Sequence, residues 1–192
     1  MPMNLVHRKL CSSQYWARAV EKHGMPWALD GVPLGAHVLE IGPGFGATTR
    51  VLRKRVARLT AVEVDEASTE QLRAEFGDTV RVLHGDGADL PLPDNEFDSV
   101  VCFTMLHHVP SPALQDRLFA EAQRVLRPGG VFAGSDSRTS FLFRQLHRGD
   151  TMVMVEPGGL PDRLLSAGFE GVSVLAKPGA FRFSARKPDS TL

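Results

Sequence analysis

From His37 onward the chain alternates short apolar runs with stretches that repeat apolar positions every three or four residues. HVLEI reads as a buried strand and ATTRVLRKR as a helix; RLTAVEV follows as a strand and EASTEQLRAEF as a helix. VRVLH and FDSVVCF are two further strands. SPALQDRLFAEAQRVL has helical periodicity and should stop at Arg127-Pro128-Gly129-Gly130, because proline cannot continue a helix and glycine permits a reversal. VFAGSD is the next strand. Strands that alternate with helices predict a parallel sheet covered on both faces. The end of the chain breaks this rhythm. LPDRLLSAGF reads as a short helix, then EGVSVLAK and AFRFSARK as paired strands around Pro178-Gly179. The expected class is α/β, with seven mostly parallel strands and a terminal antiparallel hairpin.

Ahead of the sheet, Leu5, Val6, Leu10, Trp16, Ala19 and Val20 recur at helical intervals before Pro26, Gly31 and Pro33 interrupt them. One or two helices lying over the main domain are expected. Between the VFAGSD strand and the last helix, SFLFRQLHR is compatible with an amphipathic helix and TMVMV with a strand. This segment follows a strand's carboxyl end, where open α/β sheets place ligands. The chain thus reads as one domain: a helical cap over 1–34, a core over 35–136, a pocket-forming insertion over 137–160, and a helix and hairpin over 161–192.

VLEIGPGFGATTRVL, residues 38–52, places a glycine turn between a strand and a helix. Glycines there let a ligand approach the backbone closely. Gly42, Gly44 and Ala47 satisfy G-x-G-x-x-A, the dinucleotide pattern; Glu40 with Gly42, Gly44 and Gly46 satisfies E-x-G-x-G-x-G. Glu63 ends the second strand 19 residues past Gly44, where a carboxylate can accept ribose hydroxyls. Both observations fit a nicotinamide dinucleotide and a sulfonium nucleoside alike. The acidic pair Glu40 and Glu63 suits a cationic ligand better than a pyrophosphate.

Composition narrows the partners. Lys+Arg and Asp+Glu both number 22, so the formal net charge is zero. A nucleic-acid binder needs a cationic face. The cluster Arg50, Arg53, Lys54, Arg55 and Arg58 reads as a solvated helix face. Cys11 and Cys102, the two cysteines, lack the spacing of a zinc site or disulfide framework. No run resembles a signal peptide or reaches the roughly 18 apolar residues of a membrane span, so a cytoplasmic protein is expected. Nothing in the sequence sets an oligomeric state.

HGDGADLPLPDNEFDSVVCFTMLHHV separates the ligands. Asp86 follows the third strand, an F-D pair opens the fourth, and His107-His108 leave it. With E-x-G-x-G-x-G, Glu63 and L-R-P-G-G, this set resembles the class I S-adenosylmethionine-dependent methyltransferases, in the small-molecule branch of that Rossmann-like fold. The resemblance covers about residues 36–135 closely and the terminal hairpin loosely. It implies S-adenosylmethionine as cofactor and S-adenosylhomocysteine as product. It implies that Gly42, Gly44 and Gly46 let the donor approach, that Glu40 orients its ammonium directly or through water, and that Glu63 holds the ribose. Val64 would pack on the adenine, Asp86 accept from its amino group with the Gly87 N–H nearby, and the Phe103 carbonyl face the ammonium. Read from its residue type alone, Asp86 is also a turn former that bonds its own backbone.

The glycine turn also resembles that of ribosomal RNA adenine dimethyltransferases. Those enzymes carry an N-L-P-Y-type motif where this chain has Phe103-Thr104-Met105-Leu106, so a small-molecule acceptor is expected, not RNA. Methyl transfer from a sulfonium is an in-line displacement that mainly requires alignment, so a metal-independent reaction is expected, and no metal constellation is read in the sequence. His107 and His108 are candidates for a base; as neighbours, their rings should diverge. Tyr15 and Trp16 either close over the donor or dock their helix. A nicotinamide oxidoreductase and a donor-binding protein without catalysis are the competing classes.

Overall fold

The computed structural model describes residues 4–189. Seven strands form one sheet: β1 His37–Ile41, β2 Arg58–Glu63, β3 Arg81–His84, β4 Phe97–Phe103, β5 Leu126–Ser137, β6 Glu170–Lys177 and β7 Ala180–Arg186. Their order is β3-β2-β1-β4-β5-β7-β6. The first five strands are parallel; β7 runs antiparallel between β5 and β6. The chain steps outward from β1 to β3, then returns to β1's other side with β4. That reversal opens a crevice at the carboxyl ends of β1 and β4, where such sheets bind ligands.

Alternation along the strands builds a core on each face. Leu39 and Ile41 of β1 join Val100 and Cys102 of β4 in one cluster, under Leu118, Phe119 and Ala122 of helix α6 (Pro112–Val125). Val38 joins Ala61, Val101 and Phe103 in the other, under Leu72 and Phe76 of helix α5 (Glu66–Phe76). Cys102 is a fully buried core residue, as its apolar run suggested. The remaining helices are α1 Leu5–Cys11, α2 Gln14–Ala19, α3 Met25–Ala28, α4 Thr49–Leu52, α7 Phe141–Leu146 and α8 Leu160–Ser166. A π-helical turn, Val20–Gly24, joins α2 to α3. Pro26 lacks an N–H and its ring would meet the carbonyl four residues back, and the widened turn relieves this. None of the described helices is long and apolar enough to cross a membrane.

Three expected elements differ. The helix after the glycine turn shrinks to Thr49–Leu52, because Gly44 and Gly46 take left-handed φ of 54° and 73° that a helix excludes. L-R-P-G-G does not end the helix in a reversal but opens β5 as a bulge. Phe97 pairs with Leu126 and Ser99 with Val131, so residues 127–130 stand opposite Asp98 alone. Glycine is needed there, since a Cβ on Gly130 would lie 2.8 Å from the Arg127 carbonyl oxygen and 3.0 Å from that of Asp98. TMVMV forms no strand; its backbone is tied down by Val153 N–H donating to the His107 carbonyl at 2.7 Å. The acidic partner in F-D, Asp98, anchors the start of β1 by accepting from the N–H groups of Ala36 (2.9 Å) and His37 (2.8 Å).

Close backbone approach in mid-sheet is testable at Gly134 of β5. A Cβ there would lie 2.2 Å from the Cys102 carbonyl oxygen and 3.0 Å from the Phe183 ring. Gly134→Ala should destabilise the fold by about 2 kcal/mol or more, lowering Tm by roughly 5 °C or more. Gly158→Ala, with no atom within 4 Å of the added carbon, is the control and should leave Tm unchanged. Equal melting of the two variants would refute the packing assignment.

Candidate active site

A cavity of about 470 Å³ opens at the switch point. One end is lined by Gly42 and Gly44 after β1, Glu63 at the end of β2 with Val64 just beyond it, and Phe103 at the end of β4. The other is lined by His7, His107, His108 and His147.

Left-handed backbone shapes the glycine turn. Gly42, Gly44 and Gly46 have φ of 68°, 54° and 73°. A Cβ on Gly44 would meet no atom within 4 Å, so this residue faces open space. Its N–H donates to Glu63 Oε2 at 2.9 Å, and Glu63 Oε1 accepts from Asp65 N–H at 3.0 Å. Glu63 thereby fixes the glycine turn to the end of β2. Gly46 does not line the cavity; a Cβ there would sit 2.8 Å from the Phe76 ring, so its absence lets the turn pack on α5.

Glu40 points away from the cavity. It shares the Val38 face of β1, is 1% exposed, and accepts from the hydroxyls of Thr48 and, at 2.7 Å, Thr49. Burial, opposed by those two bonds, pushes its carboxyl up to about 7. Thr48 does line the cavity, so Glu40 meets that space through a hydroxyl. Asp86 and Gly87 lie outside the lining as well. Asp86 is exposed and accepts from Ala88 N–H at 2.9 Å, the turn-forming role its residue type also allowed. A Cβ on Gly87 would lie 2.7 Å from Ile41, so that glycine serves packing. Trp16 lines the cavity, whereas the neighbouring Tyr15 is 78% exposed. Thr104, not singled out by the sequence, lines the cavity with φ of 50°, a costly conformation for a β-branched residue.

His107 and His108 depart most from expectation. A 3₁₀ turn, Leu106–His108, brings their rings to 4.1 Å between centroids, so they converge where a helix or strand would part them. His7 from α1 and His147 beyond α7 complete a group of four imidazoles, all buried. Each Nδ1 meets an oxygen: Asp150 at 2.8 Å from His7, Asp136 at 2.5 Å from His107, the Thr151 carbonyl at 3.2 Å from His108, and the Phe143 carbonyl at 2.9 Å from His147. Burial and the neighbouring His107 ring push the His108 pKa down to about 4, and burial lowers that of His147. One ring nitrogen from each of His7, His108 and His147 lies within 4.8 Å of the other two, a metal-compatible grouping that the sequence reading did not find. These residues lie up to 140 positions apart (147 − 7), and no local pattern marks His7 or His147.

Comparisons with known proteins bear on the whole arrangement. The family model described as "Methyltransferase domain" matches residues 39–134. A "Probable S-adenosylmethionine-dependent methyltransferase" of Mycolicibacterium smegmatis is 39% identical over 98 residues, covering 51% of this chain and 37% of the relative. A sterol 24-C-methyltransferase of Gibberella zeae is 31% identical over 122 residues, covering 60% of this chain and 31% of the relative. The chain thus spans about a third of these two relatives' lengths. Among solved structures, the Haloferax volcanii methyltransferase in complex with the Trm112 activator shares the fold, with a TM-score of 0.75, 17% identity, and coverage of 98% of this chain and 100% of that one. The family's pattern runs from β1 through the middle of β5, half of the 192 residues, and the chain belongs to the class I S-adenosylmethionine-dependent methyltransferases.

Proposed function

We propose that this methyltransferase transfers the methyl group of S-adenosylmethionine to a small-molecule acceptor held at the histidine-lined end of the cavity. The observation that carries the reading is that one cavity of about 470 Å³ joins the glycine turn and Glu63 to four buried imidazoles. That size is ordinary for a small-ligand site. Relatives are named for sterol, menaquinone, fatty-acid and ribosomal RNA substrates, so similarity alone does not choose the acceptor. The enclosure by α1 and α7, the zero formal charge, and Phe103-Thr104-Met105-Leu106 in place of an N-L-P-Y motif favour a small acceptor over RNA.

In this reading residues 35–136 hold the donor, while the helical cap over 1–34 and the segment 137–160 enclose the acceptor. Glu63 turns from the Gly44 N–H to the ribose hydroxyls. Val64, 42% exposed, covers the adenine, with Asp86 beyond the end of β3 toward its amino group. The ammonium meets the Phe103 carbonyl and the Thr48 hydroxyl, with Glu40 behind that hydroxyl as counter-charge. The transfer is an in-line displacement. The acceptor's electron pair forms the new bond to carbon, and the carbon–sulfur pair returns to sulfur, leaving a neutral thioether. The protein aligns the three atoms and excludes water. His107, with Asp136 fixing its Nδ1, is the candidate base for a protonated acceptor.

Calorimetry should show binding of S-adenosylmethionine or its demethylated product. Glu63→Ala should weaken it by about 1.5–3 kcal/mol, roughly ten- to hundredfold. Absence of binding would refute the donor site. Labelled donor incubated with panels of thiols, alcohols, phenols and amines should label a small acceptor; label only in ribosomal RNA would overturn the acceptor class.

A second prediction follows from Glu40. Its carboxyl sits at about 7 in the free protein, and a cationic ammonium nearby favours the ionised form. Donor affinity should therefore rise as pH increases toward and through 7, then level off. Below that point it should change by up to about tenfold per pH unit, the linkage limit for one proton. Titrations at pH 6 and 8 should show this change, and Glu40→Gln should flatten it. An equal pH dependence in the variant would exclude Glu40 as the coupled group.

A further inference from the structure

The structure assigns to His7, His108 and His147 a binding site for one divalent transition-metal ion, with an open position that takes an O–H or S–H acceptor. Three observations carry it. First, one ring nitrogen of each residue lies within 4.8 Å of the other two. A tetrahedral ion at 2.0–2.1 Å from its nitrogens needs them roughly 3.3 Å apart, so the rings would have to draw together to hold it.

Second, the tautomers are fixed. Carbonyl oxygens only accept, so His108 and His147 carry their proton on Nδ1, bonded to Thr151 and Phe143. His7 and His107 direct Nδ1 at carboxylates, Asp150 and Asp136. Asp150 is itself held by the Asn4 N–H at 2.6 Å, and Asp136 by the His107 N–H at 3.0 Å. With Nδ1 engaged on each ring, Nε2 is the nitrogen left to meet an ion. An oxygen behind every Nδ1 is the arrangement that orients metal-bound histidines.

Third, His107 Nε2 and His147 Nε2 face each other at 3.2 Å. That contact is satisfied either by a proton shared between the two rings or by an ion on His147 Nε2. All-imidazole sets suit zinc, copper, iron and nickel, and three histidines with a fourth position open describe catalytic zinc sites.

The acceptor part of the inference rests on the proposed methyl transfer; the metal site does not. A hydroxyl or thiol on the fourth position would ionise there, its proton passing to His107 Nε2. The resulting oxygen or sulfur anion keeps a lone pair for attack on the methyl carbon while the carbon–sulfur pair returns to the donor sulfur. An amine bound to the metal would have no pair left, so nitrogen acceptors are disfavoured.

The test uses full-length protein without a histidine tag, dialysed against chelator and titrated with cobalt(II). Visible absorption bands of four-coordinate intensity should rise and saturate at one equivalent, and zinc should abolish them. His147→Gln and His108→Gln should weaken cobalt binding more than about 100-fold, and Asp150→Asn by roughly 10- to 100-fold. Calorimetry with S-adenosylmethionine on the same samples reports folding and the donor site separately. Donor binding without saturable cobalt bands in the unaltered protein overturns the metal site, whether or not any variant folds. Cobalt bands unchanged in folded variants overturn the ligand assignment. Cobalt binding without donor binding leaves the metal site standing and sinks the methyl-transfer reading. With zinc bound, label transfer to amines in preference to alcohols and thiols overturns the acceptor class.

Discussion

The donor end of the cavity depends on one buried carboxylate. Glu63 ends β2, is 6% exposed, and accepts two backbone N–H bonds, from Gly44 and Asp65. A carboxyl group so far from water is tolerated only when such donors surround it. Those donors are in turn available because left-handed glycines aim the turn's N–H at the neighbouring strand. The bond between Gly44 and Glu63 thus sets the turn's shape, the carboxylate's position and the open face of Gly44 together. Glu40 repeats the arrangement one strand over, with two threonine hydroxyls in place of backbone N–H. The turn is held by two buried carboxyl groups, one on each of two neighbouring strands.

The fold was largely legible because its signals are local. Period-two alternation assigns Leu39 and Ile41 to one core and Val38 to the other, with Glu40 on the Val38 face. The same rule, applied to Glu40, would have placed it behind the turn and not in the cavity. L-R-P-G-G misled because proline and glycine mark both a stop and a bulge, and only the pairing partner, Asp98, distinguishes them. Asp86 is read first, through the resemblance, as meeting the adenine, yet the bond it makes is the turn-forming one its residue type allowed. Trp16 and Tyr15 differ by one position, about 100° around a helix, and the apolar positions of that segment include Trp16 but not Tyr15.

The histidine end was not legible, for a topological reason. His7, His107, His108 and His147 come from α1, the turn after β4, and the residue after α7, while their oxygen partners lie on β5 and in residues 143–151. Only His107 and His108 are neighbours, and their convergence needs a 3₁₀ turn where an extended or α-helical backbone would part them. Such a set is defined by contacts across more than a hundred residues, which spacing patterns do not carry.

Energetics give these rings a meaning that packing does not. Burying leucine or phenylalanine at such a position would stabilise the fold by about 1.5–3 kcal/mol per side chain. An imidazole there brings two polar nitrogens that must each find a partner, and a depressed pKa, as at His108, records how poorly the pocket tolerates its charge. The structure supplies the outer nitrogens with oxygens, two of them from buried aspartates, and turns the inner ones on each other and on the cavity. A pocket built only to exclude water would use apolar side chains throughout. Four imidazoles with their Nδ1 atoms fixed outward leave a concentrated set of ring nitrogens facing the cavity, where burial disfavours the protonated forms of His108 and His147. Under the proposed function the cavity divides in two, with Glu63 toward the donor at one end and the imidazoles toward the acceptor at the other.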